Sequence, residues 1–157
     1  MTIPVLEKSI EIAAPPAEVW ALVGDLRRMA DWSPQVDSTR LSTGCAEIGP
    51  GARVTNRNVQ GELAWITHAE VVRFDEGREI AFRIEENWSV WSFTLEPSAV
   101  GTRLTQRRDA PDGLSASSLH AQETWLGGQA AFTETLRAGM AETLERIRAQ
   151  AEAVAAR

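Results

Sequence analysis

The sequence predicts an α+β domain in which a curved, seven-stranded antiparallel sheet wraps one long C-terminal helix. Three observations carry that expectation. The middle of the chain alternates apolar and polar residues in short runs broken by Gly, Pro, Asn and Asp, the pattern of a meander of hairpins. The C-terminal stretch changes to Ala, Glu, Gln, Arg and Leu, with apolar residues at spacings of three and four. Strands gathered ahead of one terminal helix favour a helix packed on one face of a sheet. A length of 157 residues fits a single domain spanning 1–157 and large enough to bury a core.

The elements follow in order. Leu6–Ile12 alternates, with Leu6, Lys8, Ile10 and Ile12 on one face and Glu7, Ser9 and Glu11 on the other, as a half-buried strand does. Ala14-Pro15-Pro16-Ala17-Glu18 opens a short helix carrying Val19, Trp20, Leu22 and Val23 and ending near Gly24. Proline is tolerated in a first helical turn, and an acid suits its positive end. Asp25 caps a second short helix through Met29, stopped by Trp32-Ser33-Pro34 because a residue before proline avoids the helical region. Six strands follow, at about Gln35–Ser42, Ala52–Val59, Leu63–Phe74, Glu79–Glu86, Ser89–Glu96 and Thr102–Asp109. Turn residues separate them at Gly49-Pro50-Gly51, Gln60-Gly61, Asp75-Glu76-Gly77 and Pro97-Ser98-Ala99-Val100-Gly101, with Asn87-Trp88 the least obvious turn. Beyond Pro111-Asp112-Gly113, the residues Leu119, Trp125 and Leu126 mark a helical or lid-like segment, and Gly127-Gly128 a kink or break. Phe132, Leu136, Met140, Leu144, Ile147, Ala151 and Val154 then fall on one face of the long helix.

Composition excludes several functions. With 43% apolar and 24% charged residues the chain reads as a soluble globular protein, and no window holds the roughly 18 uninterrupted apolar residues of a membrane span. Met1 to Ile12 lacks a basic segment followed by an apolar one, so no secretion signal and a cytoplasmic location are expected. Asn87-Trp88-Ser89 matches a glycosylation acceptor that would then carry no sugar. Sixteen basic against 22 acidic residues give a net charge of −6, which opposes a nucleic-acid partner. A lone Cys45 with His68 and His120 argues against a disulfide or structural zinc, and no metal or cofactor is expected. Gly49-Pro50-Gly51 lacks the third glycine and following helix of a dinucleotide fingerprint. No nucleophile elbow, phosphate loop, His-Glu-x-x-His or Cys-x-x-Cys is present.

Several segments resemble one family in order and spacing across essentially the whole chain. They are Val19-Trp20-Ala21-Leu22-Val23, Trp32-Ser33-Pro34, Trp91-Ser92-Phe93-Thr94-Leu95-Glu96-Pro97, Gly101-Thr102-Arg103-Leu104-Thr105 and the helix Ala138 to Arg146. Together they look like the polyketide cyclase/dehydrase and lipid-transport superfamily, also called START-like or SRPBCC, which includes the birch-pollen allergen. The resemblance implies a helix-grip fold with a cavity between sheet and helix. Chemistry differs from member to member, so the fold alone warrants little about a reaction.

Strand parity then selects candidate site residues. Val54, Asn56 and Asn58 share one face of their strand, and amides directed at the helix imply either a cavity holding water or a polar ligand group, or a solvated sheet edge. Trp65 and Thr67, Phe82 and Ile84, and Trp91, Phe93 and Leu95 point to single faces that would meet Leu136, Met140 and Leu144; some are core and some pocket. The expected ligand-binding set is Val54, Asn56, Asn58, Trp65, Thr67, Phe82, Trp91, Phe93, Leu136 and Met140. Arg108 shares a face with Leu104 and Gln106, and either reaches a ligand oxyanion or is a solvated strand-end arginine. His68 is the second catalytic candidate, although it faces outward if Trp65 faces in; His120 reads as a solvated helix residue. Binding of a small hydrophobic molecule by a monomer or homodimer is the expected function, with an aromatase/cyclase-like enzyme and a surface-acting interaction protein as alternatives.

Overall fold

The structure is a computed structural model and describes residues 3–157. Strand β1 (Leu6–Ile12) leads into α1 (Pro16–Val23), a single 3-10 turn (Leu26–Arg28) and α2 (Met29–Trp32). Six strands follow: β2 (Val36–Leu41), β3 (Arg53–Gln60), β4 (Leu63–Asp75), β5 (Glu79–Ile84), β6 (Val90–Pro97) and β7 (Thr102–Asp109). Helices α3 (Ala116–Trp125) and α4 (Gln129–Ala155) complete the described chain. All seven strands form one antiparallel sheet in the order β1-β7-β6-β5-β4-β3-β2, so the chain has the expected helix-grip architecture. No helix among the described residues is long and apolar enough to cross a membrane.

Alternation determines which side chains meet the helix. On β7, Thr102, Leu104, Gln106 and Arg108 are buried while Arg103 and Arg107 are exposed; on β3, Val54, Asn56 and Asn58 are buried between exposed arginines. The long strand β4 keeps parity through Thr67, Ala69 and Val71, then shifts register against β5 between Val71 and Arg73. Without the shift Arg73 would continue the inward face and Phe74 would point outward. The shift leaves Arg73 exposed beside Val72 and lets Phe74 reach the core edge-on to Trp20, ring centroids 5.5 Å apart.

The core occupies the end of the concave face covered by α1 and the C-terminal half of α4. Ile12, Ile80, Phe93, Leu95 and Leu104 from the sheet meet Val19, Leu22 and Val23 from α1 and Leu144, Ile147 and Ala151 from α4. Trp32 lies edge-on to Phe93 at 5.1 Å, and its indole N–H donates to the Leu22 carbonyl at 3.1 Å, which satisfies the one polar atom it buries. Gly101 has φ of +149°, and a Cβ there would lie 2.6 Å from the Ile12 and Ala14 carbonyl oxygens. That close approach lets Thr102 Oγ1 donate to the Ala14 carbonyl at 2.7 Å, fastening the β6–β7 turn to the start of α1.

Three local expectations are corrected. Strand β5 stops at Ile84 instead of Glu86: Trp88 takes φ of +71°, its N–H donates to the Ile84 carbonyl at 2.8 Å, and Asn87 Oδ1 accepts from Ser89 N at 2.9 Å and Ser89 Oγ at 2.6 Å. A short amide folding back on the backbone makes this turn. Asp25 caps the 3-10 turn through Arg27 N–H at 3.1 Å, and helical structure continues past Met29 to Trp32; Ser33, before Pro34, is then extended with ψ of 121°. Val154 is exposed at the end of α4, one turn beyond Ala151, the last buried residue of that helix.

Candidate functional site

Beyond the core, α4 no longer closes on the sheet. Its first half carries Phe132 and Leu136, which are half-buried and line a cavity of about 940 Å³. Sheet residues from β3 to β7 form the floor, Met29 and Trp32 of α2 one wall, and α3 the roof, with Ser118, Ala121, Gln122 and Trp125 facing the space. The roof is tied down at one end. Ser115 caps α3 by accepting from Ser118 N–H at 3.2 Å and donates its own hydroxyl to the Glu86 carbonyl at 2.6 Å, while Ser115 N–H donates to the Asn87 carbonyl at 3.2 Å. At the other end Gly128, with φ of +94°, lets the chain reverse into α4 and donates its N–H to the Gln122 carbonyl at 2.7 Å.

Most residues selected by parity line the cavity: Asn56, Asn58, Trp65, Thr67, Phe82, Trp91, Leu136, Met140 and Arg108. Two do not. Val54 and Phe93 have the inward parity assigned to them, but each is 1% exposed inside the core cluster, one step along its strand from the cavity floor. Periodicity gives the face of a strand and not the depth along it. His68 is exposed on the outer face, where its backbone N–H donates to Glu86 Oε1 at 2.7 Å and its Nδ1 meets Glu86 Oε2 at 2.6 Å. His120 is exposed on α3 beside Thr124, its Nε2 being 3.4 Å from the hydroxyl. Neither histidine lines the cavity.

Among the polar side chains of the cavity floor, Asn56 and Asn58 each have one amide end held by a neighbouring threonine, whereas Gln106 and Arg108 each bury an unpaired atom. Asn56 Oδ1 accepts from Thr39 Oγ1 at 2.8 Å, and Asn58 Nδ2 donates to Thr67 Oγ1 at 2.9 Å. Gln106 Oε1 and Arg108 Nε are buried with no hydrogen-bond partner among the described residues. Arg108 is 4% exposed, and its Nη2 donates to the Pro4 carbonyl at 3.0 Å. Asp109 is engaged instead by Arg107 at 3.5 Å. Burial pushes the Arg108 guanidinium below its ordinary pKa, Asp109 opposes that shift, and Arg137 adds to it. A buried charge without a counter-ion costs several kcal/mol, so this arginine is an expensive feature of the floor.

Parity placed Gln106 beside Arg108 without marking it as a site residue. Its signal was a polar residue following Leu104 on an inward face, the same apolar-to-polar switch seen from Val54 to Asn56. Gln122 and Met29 carried no such signal, because only the tertiary fold brings α3 and α2 over the sheet. On the outer surface His68, Glu85 and Glu86 bring potential metal-ligand atoms within 4.8 Å of one another. Those side chains are already paired, Glu86 with His68 and Glu85 with Arg53 at 3.4 Å.

A family model described as polyketide cyclase/dehydrase and lipid transport matches residues 4–152. The Polyketide_cyc-like protein Cgl2372 from Corynebacterium glutamicum is 29% identical, with 92% of this chain and 88% of that one covered and a TM-score of 0.60. The di-domain ARO/CYC StfQ from the steffimycin biosynthetic pathway superposes with a TM-score of 0.75 at 16% identity, covering 98% of this chain and 52% of StfQ. This chain thus spans about half the length of that protein. The KanY protein gives a TM-score of 0.69 at 18% identity over 97% of this chain and 99% of its own. The likeness to StfQ and KanY is one of fold. No curated protein matches.

Proposed function

We propose that this chain, which belongs to the polyketide cyclase/dehydrase and lipid transport family, encloses a small, largely apolar molecule between its sheet and its C-terminal helix. The family supports a ligand-binding or cyclase role, and a lipid, polyketide or aromatic metabolite is the class of ligand. The observation that carries the reading is the cavity itself: about 940 Å³, with indoles, aliphatic side chains and a few amides in its walls. Small-molecule sites have that size and that mixture, an apolar surface for affinity and a few polar groups for orientation. In this reading Trp65, Phe82, Trp91, Leu136 and Met140 hold the apolar body, and Asn56, Asn58 and Thr67 meet its polar groups directly or through water.

Native mass spectrometry of freshly purified protein tests this, followed by identification of whatever is released on denaturation. A co-purified lipid or aromatic compound supports it. A clean apo mass, together with no uptake of an added apolar fluorophore such as 1-aminoanthracene, would count against a ligand-binding cavity.

The second reading is a polyketide aromatase/cyclase-like enzyme. It is favoured by Arg108 in the cavity floor, a donor of the kind that stabilises a developing enolate. Such a reaction also needs a base for the α-proton; both histidines lie outside the cavity, and the carboxylates that border it, Glu86 and Glu142, are already paired with His68 and Arg146. Binding is therefore the primary reading. Turnover of a poly-β-keto substrate that is lost in Arg108→Met with little change in substrate affinity would reverse that order.

A further inference from the structure

We infer that the bound molecule carries one acidic oxygen group, a carboxylate or an ionised phenol or enol, and that this group docks against Arg108 with Gln106 beside it. The inference rests on the ligand-binding reading above and adds to it the chemistry of one end of the ligand. Its warrant is an imbalance within the cavity floor. Asn56 and Asn58 use their side chains on neighbouring threonines, but Arg108 Nε and Gln106 Oε1 are fully buried and meet nothing among the described residues. Both side chains border the cavity. They are adjacent inward positions of β7, opposite Trp91 and Phe93 of β6, so the unsatisfied groups stand side by side.

Charge sharpens the assignment. A buried guanidinium is tolerated when an anion neutralises it, and among the described residues its hydrogen-bond partner is the Pro4 carbonyl, which is neutral. Asp109 is adjacent in sequence but lies at the opposite parity of the strand and pairs with Arg107. Asp109 acts on the guanidinium only at a distance, and a ligand oxyanion in the cavity supplies the counter-charge at contact range. A guanidinium N–H donor selects an oxygen anion, and the apolar walls around it select an otherwise uncharged body. Gln106 accommodates either acid: its carbonyl accepts from a hydroxyl adjacent to the anion, and the amide turned over donates to the anion itself.

Three probes of matched shape test the inference by calorimetric titration near pH 8: 2-naphthoate, 2-naphthol and the neutral 2-acetylnaphthalene. The wild-type chain is expected to bind 2-naphthoate or 2-naphthol about 10- to 100-fold more tightly than 2-acetylnaphthalene, the range for a hydrogen bond to a charged group. In Arg108→Met that preference should vanish while 2-acetylnaphthalene still binds. Naphthol bound with the absorption band of its anion identifies the phenol or enol class, whereas preference for naphthoate alone identifies a carboxylate. If Met is not tolerated at this position, Arg108→Lys keeps the charge, removes the Nε donor and should narrow the preference.

Equal affinity of the wild-type chain for 2-acetylnaphthalene and for both acids would overturn the inference and leave apolar-ligand binding standing. An acid preference that survives in Arg108→Met would overturn it too. Loss of thermal stability in that variant with unchanged ligand preference would make the arginine a strut for Pro4 only. If none of the three probes binds the wild-type chain, the cavity-binding reading itself fails, and this inference with it.

Discussion

The two halves of α4 share a sequence rhythm and do opposite things. From Leu144 to Ala151 the helix closes on the core, with Ile147 fully buried and Ala151 1% exposed. From Phe132 to Leu136 the same spacing of apolar residues faces an open space of about 940 Å³. What differs is the surface opposite. Below the C-terminal half lie Ile12, Leu95 and Leu104, reinforced by α1; below the N-terminal half the inward residues of β3 and β7 change to Asn56, Asn58, Gln106 and Arg108. Two strands far apart in the sheet, β3 and β7, both pass from apolar to polar on the inner face. The contrast teaches that inward polar residues mark where packing ends and a site begins, since a dry core would leave them uncompensated.

The largest expected effect lies at the closed end. Ile147→Ala should cost about 2–5 kcal/mol in urea unfolding, because the well-packed surroundings of Ile147 collapse only partly around the lost volume. A cost below about 1 kcal/mol would mean the core half of α4 is as loosely covered as the cavity half. Next comes Gly101→Ala, expected to destabilise by about 1–3 kcal/mol since the new methyl meets two carbonyl oxygens at a φ that side chains avoid. Tolerance without loss of stability would show that the β6–β7 turn does not have to press against the start of α1.

At the open end the effects are smaller and local. Ser115→Ala removes the α3 cap and the tie to Glu86, at about 0.5–2 kcal/mol. Hydrogen exchange should accelerate in α3 while the β6 and β7 amides keep their protection; uniform acceleration would make the roof part of the cooperative core. Leu136→Trp should change stability by no more than about 0.5 kcal/mol, as at a half-buried site with room beside it, yet reduce uptake of 2-acetylnaphthalene at least severalfold. Unchanged uptake would remove this part of the helix from the proposed binding surface.

Much of this was legible before any coordinates. Alternation in β3, β6 and β7 assigned inward faces that the structure reproduces, and the spacing of Met140, Leu144, Ile147 and Ala151 assigned the buried face of α4. The dependence of His68 on Trp65 was also readable, because neighbours on a strand take opposite sides: His68 is exposed and Trp65 lines the cavity. Depth was not readable. Val54 and Phe93 have the parity of site residues and sit in the core, whereas Val154 has the spacing of a core residue and sits in solvent. The β5–β6 turn was misplaced by two residues because Glu85 and Glu86 carry no Gly, Pro or Asn turn signal, and only the Asn87 side chain folding back onto Ser89 marks the turn.

By itself, then, the sequence determined the elements, their order and the face each presents, since those follow from periods of two and 3.6 residues and from turn chemistry acting within a few residues. Tertiary structure alone decided where along those faces the helix leaves the sheet. It brought α3 over the opening, and among the described residues it left Gln106 Oε1 and Arg108 Nε buried without partners while Asn56 Oδ1 and Asn58 Nδ2 found theirs. The physical reason is that burial and hydrogen-bond satisfaction depend on residues distant in the chain. Arg108 is held by Pro4, 104 positions away, and no local pattern encodes that distance.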